Sequence, residues 1–208
     1  MTSAKARVLY SSSLPYAIMQ HRHFLIHKPF GYLSQFVCDQ KKKKLLGELY
    51  DFPAETMAIG RLDEGSEGLL LLTTDGKTSE YVRSQKVEKE YYAQVDGLIT
   101  DEAVQQLQEG LEINVEGTQY TTKPCKAFKL EKDPGFAERS RKIRDDRHGP
   151  TSWVSITLTE GKFRQVRKMT AAVGFPTLRL VRVRVGNLHL RDLPLGAVRE
   201  VDSFSLTT

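Results

Sequence analysis

Apolar and polar positions along the 208-residue chain change period several times, and each change predicts an element. Phe24 to Ile26 form a short apolar run stopped by Pro29 and Gly31, which predicts a strand starting near His23. Met57-Ala-Ile59 and the run Leu69 to Thr73 predict two more strands, separated by a loop with glycines at 60, 65 and 68. A short helix over residues 78–84 would pack Tyr81 and Val82 inward, and residues 89–97 return to strand character. Thr100 is placed as an N-cap, with Asp101 and Glu102 in the first turn, Val104 and Leu107 on the apolar face and Gly110 as the stop. Val154, Ile156 and Leu158 alternate with Ser155, Thr157 and Thr159 as a half-buried strand. A helix from Gly161 to near Gly174 would group Val166, Met169 and Val173 on one face and Arg164, Arg167 and Lys168 on another. Val181, Val183 and Val185 then alternate with Arg182 and Arg184, predicting valines inside and arginines outside. Strands outnumber helices and follow one another largely without crossover helices, so the class expected is α+β with a mostly antiparallel sheet.

The remaining segments are polar. Residues 1–22 show no sustained period and read as a loose N-terminal tail, leaving residues 23–208 as one catalytic-sized domain. Residues 132–150, with Arg139, Arg141, Lys142, Arg144 and Arg147, read as an exposed basic loop. Lys41 to Lys44 form a basic run in a loop, a solvated patch or a phosphate contact.

Composition narrows the classes. No apolar run is long enough to cross a bilayer and no signal-peptide pattern follows Met1, so a soluble, cytoplasmic protein with no membrane partner is expected. Cys38 and Cys125 form no CxxC pair, and His21, His23 and nearby His27 lack an accompanying Cys or acidic cluster, so no metal is expected and His21 and His23 read as a surface tail pair. Charge is segregated: residues 48–102 hold 13 acidic and 5 basic side chains, residues 160–184 hold 1 and 7. That distribution fits a surface facing a polyanion better than the net charge of +5 does by itself.

Residues 60–68, GRLDEGSEG, place Arg61 and Asp63 on a glycine-permitted loop between apolar strands, a frame able to hold a carboxylate rigidly. Aspartate in such a loop ordinarily caps a turn, and the pattern leaves both roles open. The three glycines do not make a phosphate-binding P-loop, because the GK[ST] ending is missing.

The stretch AIGRLDEGSEGLLLLTTDG at 58–76 resembles the central motif of pseudouridine synthases of the RsuA type, which isomerise uridines in ribosomal RNA. HKPFG at 27–31, KEY at 89–91 and EGKFRQVRKM at 160–169 resemble further family segments in the same order, and AAVGFPTLRLVR at 171–182 points to the E-type branch acting on large-subunit RNA. The resemblance implies two subdomains sharing one mixed sheet around a central cleft, with Asp63 as catalytic carboxylate, Tyr91 as active-site tyrosine and Arg167 as its basic partner. It implies that Arg61 fills the space left by a flipped nucleotide, and it makes Lys28, Lys89, Arg164, Lys168, Arg182 and Arg184 candidates for phosphate contacts.

Arg164 stands where many relatives have histidine, so that histidine's role does not transfer. With about 22 residues ahead of the catalytic region, no separate N-terminal RNA-binding domain is expected. The implied reaction needs no cofactor, the implied partner is 23S ribosomal RNA or a large-subunit assembly particle, and monomer is the default. The alternatives are a noncatalytic RNA-binding assembly protein and a hydrolytic glycosylase; for the latter no second carboxylate stands out at a motif position.

Overall fold

The computed structural model describes residues 21–84, 87–143, 146–204 and 206. Most of the expected tail therefore lies outside the described residues. The described residues form eleven strands and three α-helices. In chain order they are β1 (His23–Lys28), β2 (Met57–Ile59), β3 (Glu67–Thr73), α1 (Gly76–Ser84), β4 (Lys89–Asp96), α2 (Asp101–Glu109), β5 (Glu112–Val115), β6 (Thr118–Thr121), β7 (Lys126–Leu130), β8 (Thr151–Leu158), α3 (Gln165–Ala172), β9 (Thr177–Val185), β10 (Leu188–His189) and β11 (Val198–Val201).

One nine-stranded sheet runs β11-β1-β3-β9-β4-β8-β7, with β10 added on β9 and β2 on β3, while β5 and β6 form a separate hairpin. Every pairing is antiparallel except β3 with β9. The α+β class with a mostly antiparallel mixed sheet is thus borne out.

The single parallel pairing is the hinge of the fold, because it joins the β11-β1-β3 half to the β9-β4-β8-β7 half. Gly68 makes it feasible. Its φ is +107°, and a Cβ there would lie 2.3 Å from the Arg182 carbonyl oxygen. Gly68→Ala combines a disfavoured backbone with a collision against main chain, and is expected to cost at least about 2 kcal/mol. The melting temperature should fall by roughly 4–8 °C; an unchanged melting curve would show that the two halves are not held by this approach.

Leu69 to Leu72 read as a continuous apolar run because both faces of β3 are covered. Leu69 and Leu71 pack with Leu25, Val82 and Val181, whereas Leu70 and Leu72 pack with Phe24, Ile26 and Leu46. Each such buried leucine contributes about 1.5–3 kcal/mol relative to exposure. In the other half, α2 and α3 cover one face of β4, β8 and β9 through Val104, Leu107, Val166 and Met169. Thr100 caps α2 as expected, accepting from the Ala103 amide.

Several expectations are corrected. Strand β8 is buried on both faces: Ser155 has no exposed surface and Thr157 is buried too. The 132–143 segment explains this, since it folds back and sets Phe136 5.7 Å from Trp153 and 6.2 Å from Tyr92. Trp153 Nε1 donates to Asp133 at 3.1 Å, fixing the flap from its start. Tyr81 points outward, although Val82 is buried. Helix α3 begins at Gln165, because residues 161–164 form a turn that ends with Arg164 in the left-handed region at φ 53°. His23 is no tail residue: it lies buried in β1 with its Nδ1 2.9 Å from the Thr73 hydroxyl. Among the described residues no helix is long and apolar enough to cross a membrane.

Candidate active site

Asp63 sits in the loop between β2 and β3, and the backbone of that loop is held from four directions. The Ser34 hydroxyl donates to the Leu62 carbonyl (2.8 Å) and accepts from the Leu62 amide (3.0 Å). The Gly31 amide donates to the Glu64 carbonyl at 2.8 Å. Arg167 Nη2 donates to the Gly65 carbonyl (2.7 Å) and the Ser66 hydroxyl (3.3 Å). Lys28 Nζ donates to the Ser66 carbonyl (2.7 Å) and the Pro29 carbonyl (3.0 Å). A loop so constrained presents its side chains in one geometry, which favours chemistry at a fixed point.

The Asp63 carboxylate opens onto a cleft with Arg61 and Tyr91 on its walls and Leu158, Val166 and Leu180 as an apolar floor. Two guanidiniums approach it: Arg164 Nη1 at 3.5 Å and Arg167 Nε at 3.7 Å, both from Oδ2. Arg167 Nε is buried and has no hydrogen-bond partner, with the Asp63 carboxylate just beyond hydrogen-bond reach. Burial, then the field of Arg164, lowers the pKa of Arg167, while Asp63 pulls it back. Such an arrangement fixes a carboxylate by its orientation and offsets desolvation when a ligand closes the cleft.

The structure thus brings Asp63, Tyr91, Arg61, Arg164 and Arg167 together. Arg167 does not share a solvated face with Lys168; its side chain reaches from α3 under the Asp63 loop, and Lys168 rests on the Phe163 ring at 5.2 Å. Arg61 is exposed at the rim. Lys89 and Arg182 line an adjoining hollow that shares Arg61 and Tyr91 with the cleft.

Most of the phosphate-contact candidates already have partners within the protein, Arg164 at Asp63 and Lys89 at the Val87 carbonyl (2.9 Å) among them. Lys28 has no exposed surface. Arg182 is 4% exposed and gives its Nε to the Leu69 carbonyl at 2.7 Å. Arg184 bridges Glu90 (2.8 Å) and Glu88 (3.0 Å). The expectation that arginines of β9 face outward fails because each has a partner brought from another strand or its approach.

Burial lowers the Lys28 ammonium pKa to about 7, against the pull of Glu67, Asp63 and Glu64. Between that value and the unfolded value of 10.5 the unfolded chain binds a proton that the folded chain lacks. The penalty for burying Lys28 is therefore complete below pH 7 and fades as pH rises toward 10.5. Stability of wild type relative to Lys28→Met is expected to rise across pH 7–10, by up to about 1.4 kcal/mol per unit; parallel pH profiles from chemical denaturation would contradict it.

One participant was missed in the sequence and another was given a different role. Arg164, expected as a phosphate contact, provides the second guanidinium at Asp63, held there by a left-handed backbone that costs about 1–3 kcal/mol. Glu160 is a second carboxylate in the cleft. It accepts from the Tyr120 hydroxyl (2.5 Å), the Gln165 side-chain amide (2.6 Å) and the Lys123 amide (3.0 Å). Burial pushes its pKa up, but these donors outweigh it and hold the carboxyl below its ordinary value. Glu160 is thus an ionised tether for the β5–β6 hairpin, unsuited to be the proton donor of a hydrolytic carboxylate pair.

A family model described as RNA pseudouridylate synthase matches residues 22–172, more than half of the chain. The chain belongs to this family. Its enzymes are isomerases acting on RNA, and the resemblance in the sequence motifs is borne out. The chain is 38% identical over 202 residues to the ribosomal large subunit pseudouridine synthase E of Vibrio parahaemolyticus, covering 96% of this chain and 82% of that protein. It is 41% identical over 172 residues to the synthase of the same name from Xanthomonas axonopodis pv. citri, covering 81% and 88%. A crystal structure of a pseudouridylate synthase superposes with a TM-score of 0.68 at 26% identity over 87% of this chain and 70% of that one.

Proposed function

We propose that this pseudouridine synthase converts a specific uridine of 23S ribosomal RNA to pseudouridine in the bacterial cytoplasm, on the RNA or on an assembling large-subunit particle. Residues 23–208 act as one catalytic domain, and Asp63 is the reactive carboxylate. The observation that carries the reading is a carboxylate on a loop pinned at four points, faced by two guanidiniums at 3.5 and 3.7 Å and opening beside Tyr91. The ribosomal target rests on the names of relatives that match over most of their length.

The reaction breaks the C1′–N1 glycosidic bond, turns the detached uracil and joins C1′ to C5. C5 then loses its proton and N1 gains one, so the product is an isomer. A uridine must first leave its stack, at a cost of a few kcal/mol. Arg61, exposed at the rim, is placed to occupy the vacated space. Asp63 acts on the sugar or base as an ionised group, oriented by Arg167 and Arg164. Tyr91 offers its ring face to the uracil and takes part in removal of the C5 proton.

The test is release of tritium from a 23S ribosomal RNA transcript labelled at uridine C5, with no metal or nucleotide added. Release matched by new pseudouridine and without free uracil is expected. Free uracil would replace the isomerase by a glycosylase, and no release from either transcript or precursor particles would favour an assembly protein.

A further inference from the structure

Beside the Asp63 cleft, and sharing Arg164 with it, lies a second, open hollow walled in part by Phe30 and Leu178. Five of its walls are cationic: Arg139, Arg141, Lys142, Arg164 and Arg167. Among the described residues lining it there is no acidic side chain. Of the carboxylates on the neighbouring Asp63 loop and β3, Asp63 stands at the edge of the uridine cleft and Glu67 is in a bidentate pair with Arg179 at 2.8 and 2.9 Å.

The cations are held in place despite their repulsion. Arg139 stacks its guanidinium on the Phe30 ring at 4.6 Å, donates from Nε to the Arg141 carbonyl at 2.7 Å, and directs Nη1 to the Leu178 carbonyl at 3.4 Å. This closes the 139–141 turn against the body of the protein and leaves the exposed side chains of Arg141 and Lys142 at the hollow's rim. The flap's backbone is further tied by Arg179, which donates to the Ala137 carbonyl at 2.9 Å. Five cations set against the single carboxylate of Asp63, which faces two of them, are stabilised by a further anion, and guanidinium forks match phosphate oxygens.

We propose that this hollow is a phosphate subsite that binds a backbone phosphodiester of the substrate RNA strand flanking the target uridine, with Arg141 and Lys142 as its outer contacts. It rests on the reading of the adjoining cleft as the uridine site. The two sites share Arg164, which lines both. Occupying the hollow therefore places the neighbouring nucleotide's phosphate one guanidinium away from Asp63, and makes an RNA strand, in preference to a free nucleoside, the form of substrate that engages the site.

The experiment measures binding of the full-length protein to an unmodified 23S ribosomal RNA transcript as a function of salt, for wild type and Arg141→Glu/Lys142→Glu. The control is Lys129→Glu/Arg199→Glu, which reverses two exposed charges on the strands β7 and β11 at opposite ends of the sheet. The loop variant is expected to bind at least about tenfold more weakly at 0.1 M salt, with the log-log salt slope shallower by about 0.7–0.9 for the one phosphate no longer neutralised. The control should keep the wild-type slope. Equal slopes and affinities for loop variant and control would overturn the subsite. Arg141→Ala/Lys142→Ala, read in the same titration, decides the matter if charge reversal prevents folding: a wild-type slope there also overturns it. Pseudouridine formation by wild type is scored separately on the same transcript. Absent product with a loop-specific slope change refutes the enzymatic reading and leaves the anion site standing, whereas product without such a change refutes the subsite alone.

Discussion

Asp63→Asn is expected to lower the rate of pseudouridine formation by at least about 10⁴-fold, the order seen when the reacting group of a concerted catalytic set is removed. The asparagine is nearly the same size, and the loop around it is held by the carbonyls and amides of its neighbours, not by its own side chain. The fold should therefore survive. Asp63 lies 3.5 and 3.7 Å from its guanidiniums and is partly exposed, so losing its charge removes a contact worth on the order of 1 kcal/mol or less. RNA affinity should hold or rise, because a negative charge beside the phosphates has gone. Weakened binding in step with lost turnover, measured by single-turnover kinetics and filter binding on one preparation, would mean that Asp63 shapes the site without reacting.

Arg167→Lys should lower turnover roughly 10²-fold and Arg167→Gln roughly 10³-fold, in the range of losing a preorganised electrostatic group. Lysine retains the charge but not the fork. It cannot serve the Gly65 carbonyl and the Ser66 hydroxyl from one side while presenting Nε to Asp63 from another. Glutamine also leaves the carboxylate without its buried counter-charge. Both substitutions abandon the Gly65 carbonyl and are expected to destabilise by about 1–3 kcal/mol. A lysine variant with wild-type turnover would show that charge alone, and not the fixed geometry of the guanidinium, is what Asp63 requires.

The Asp63 loop was legible in the sequence because glycines and two apolar runs bracket it, and the strands on either side form where those runs stand. Thr100 and Gly110 bracketed α2 for the same reason: caps are local chemistry. Burial of charge was not legible. The alternation of Val181, Val183 and Val185 with Arg182 and Arg184 has the signature of a strand with one wet face, yet Arg182 is 4% exposed, and Arg179, ahead of the alternation in the same strand, is 7% exposed. Their partners, Glu67 and the Leu69 carbonyl, are more than a hundred residues away and arrive only through the parallel β3–β9 pairing. Lys28 was misread on the same ground, since its partner carbonyl at Ser66 is brought by the loop it supports. The 132–150 segment reads as exposed from composition, whereas Phe136, Arg139 and the Trp153 tether turn its first part into a cover for β8.

The central claim, that Asp63 isomerises one uridine of large-subunit RNA, is tested most directly by mapping pseudouridine at nucleotide resolution in unmodified 23S ribosomal RNA and precursor particles after incubation with wild type or Asp63→Asn. The account predicts one new pseudouridine with wild type and none with the variant. The same pseudouridine made by both proteins, or none made by wild type on either substrate, would contradict it.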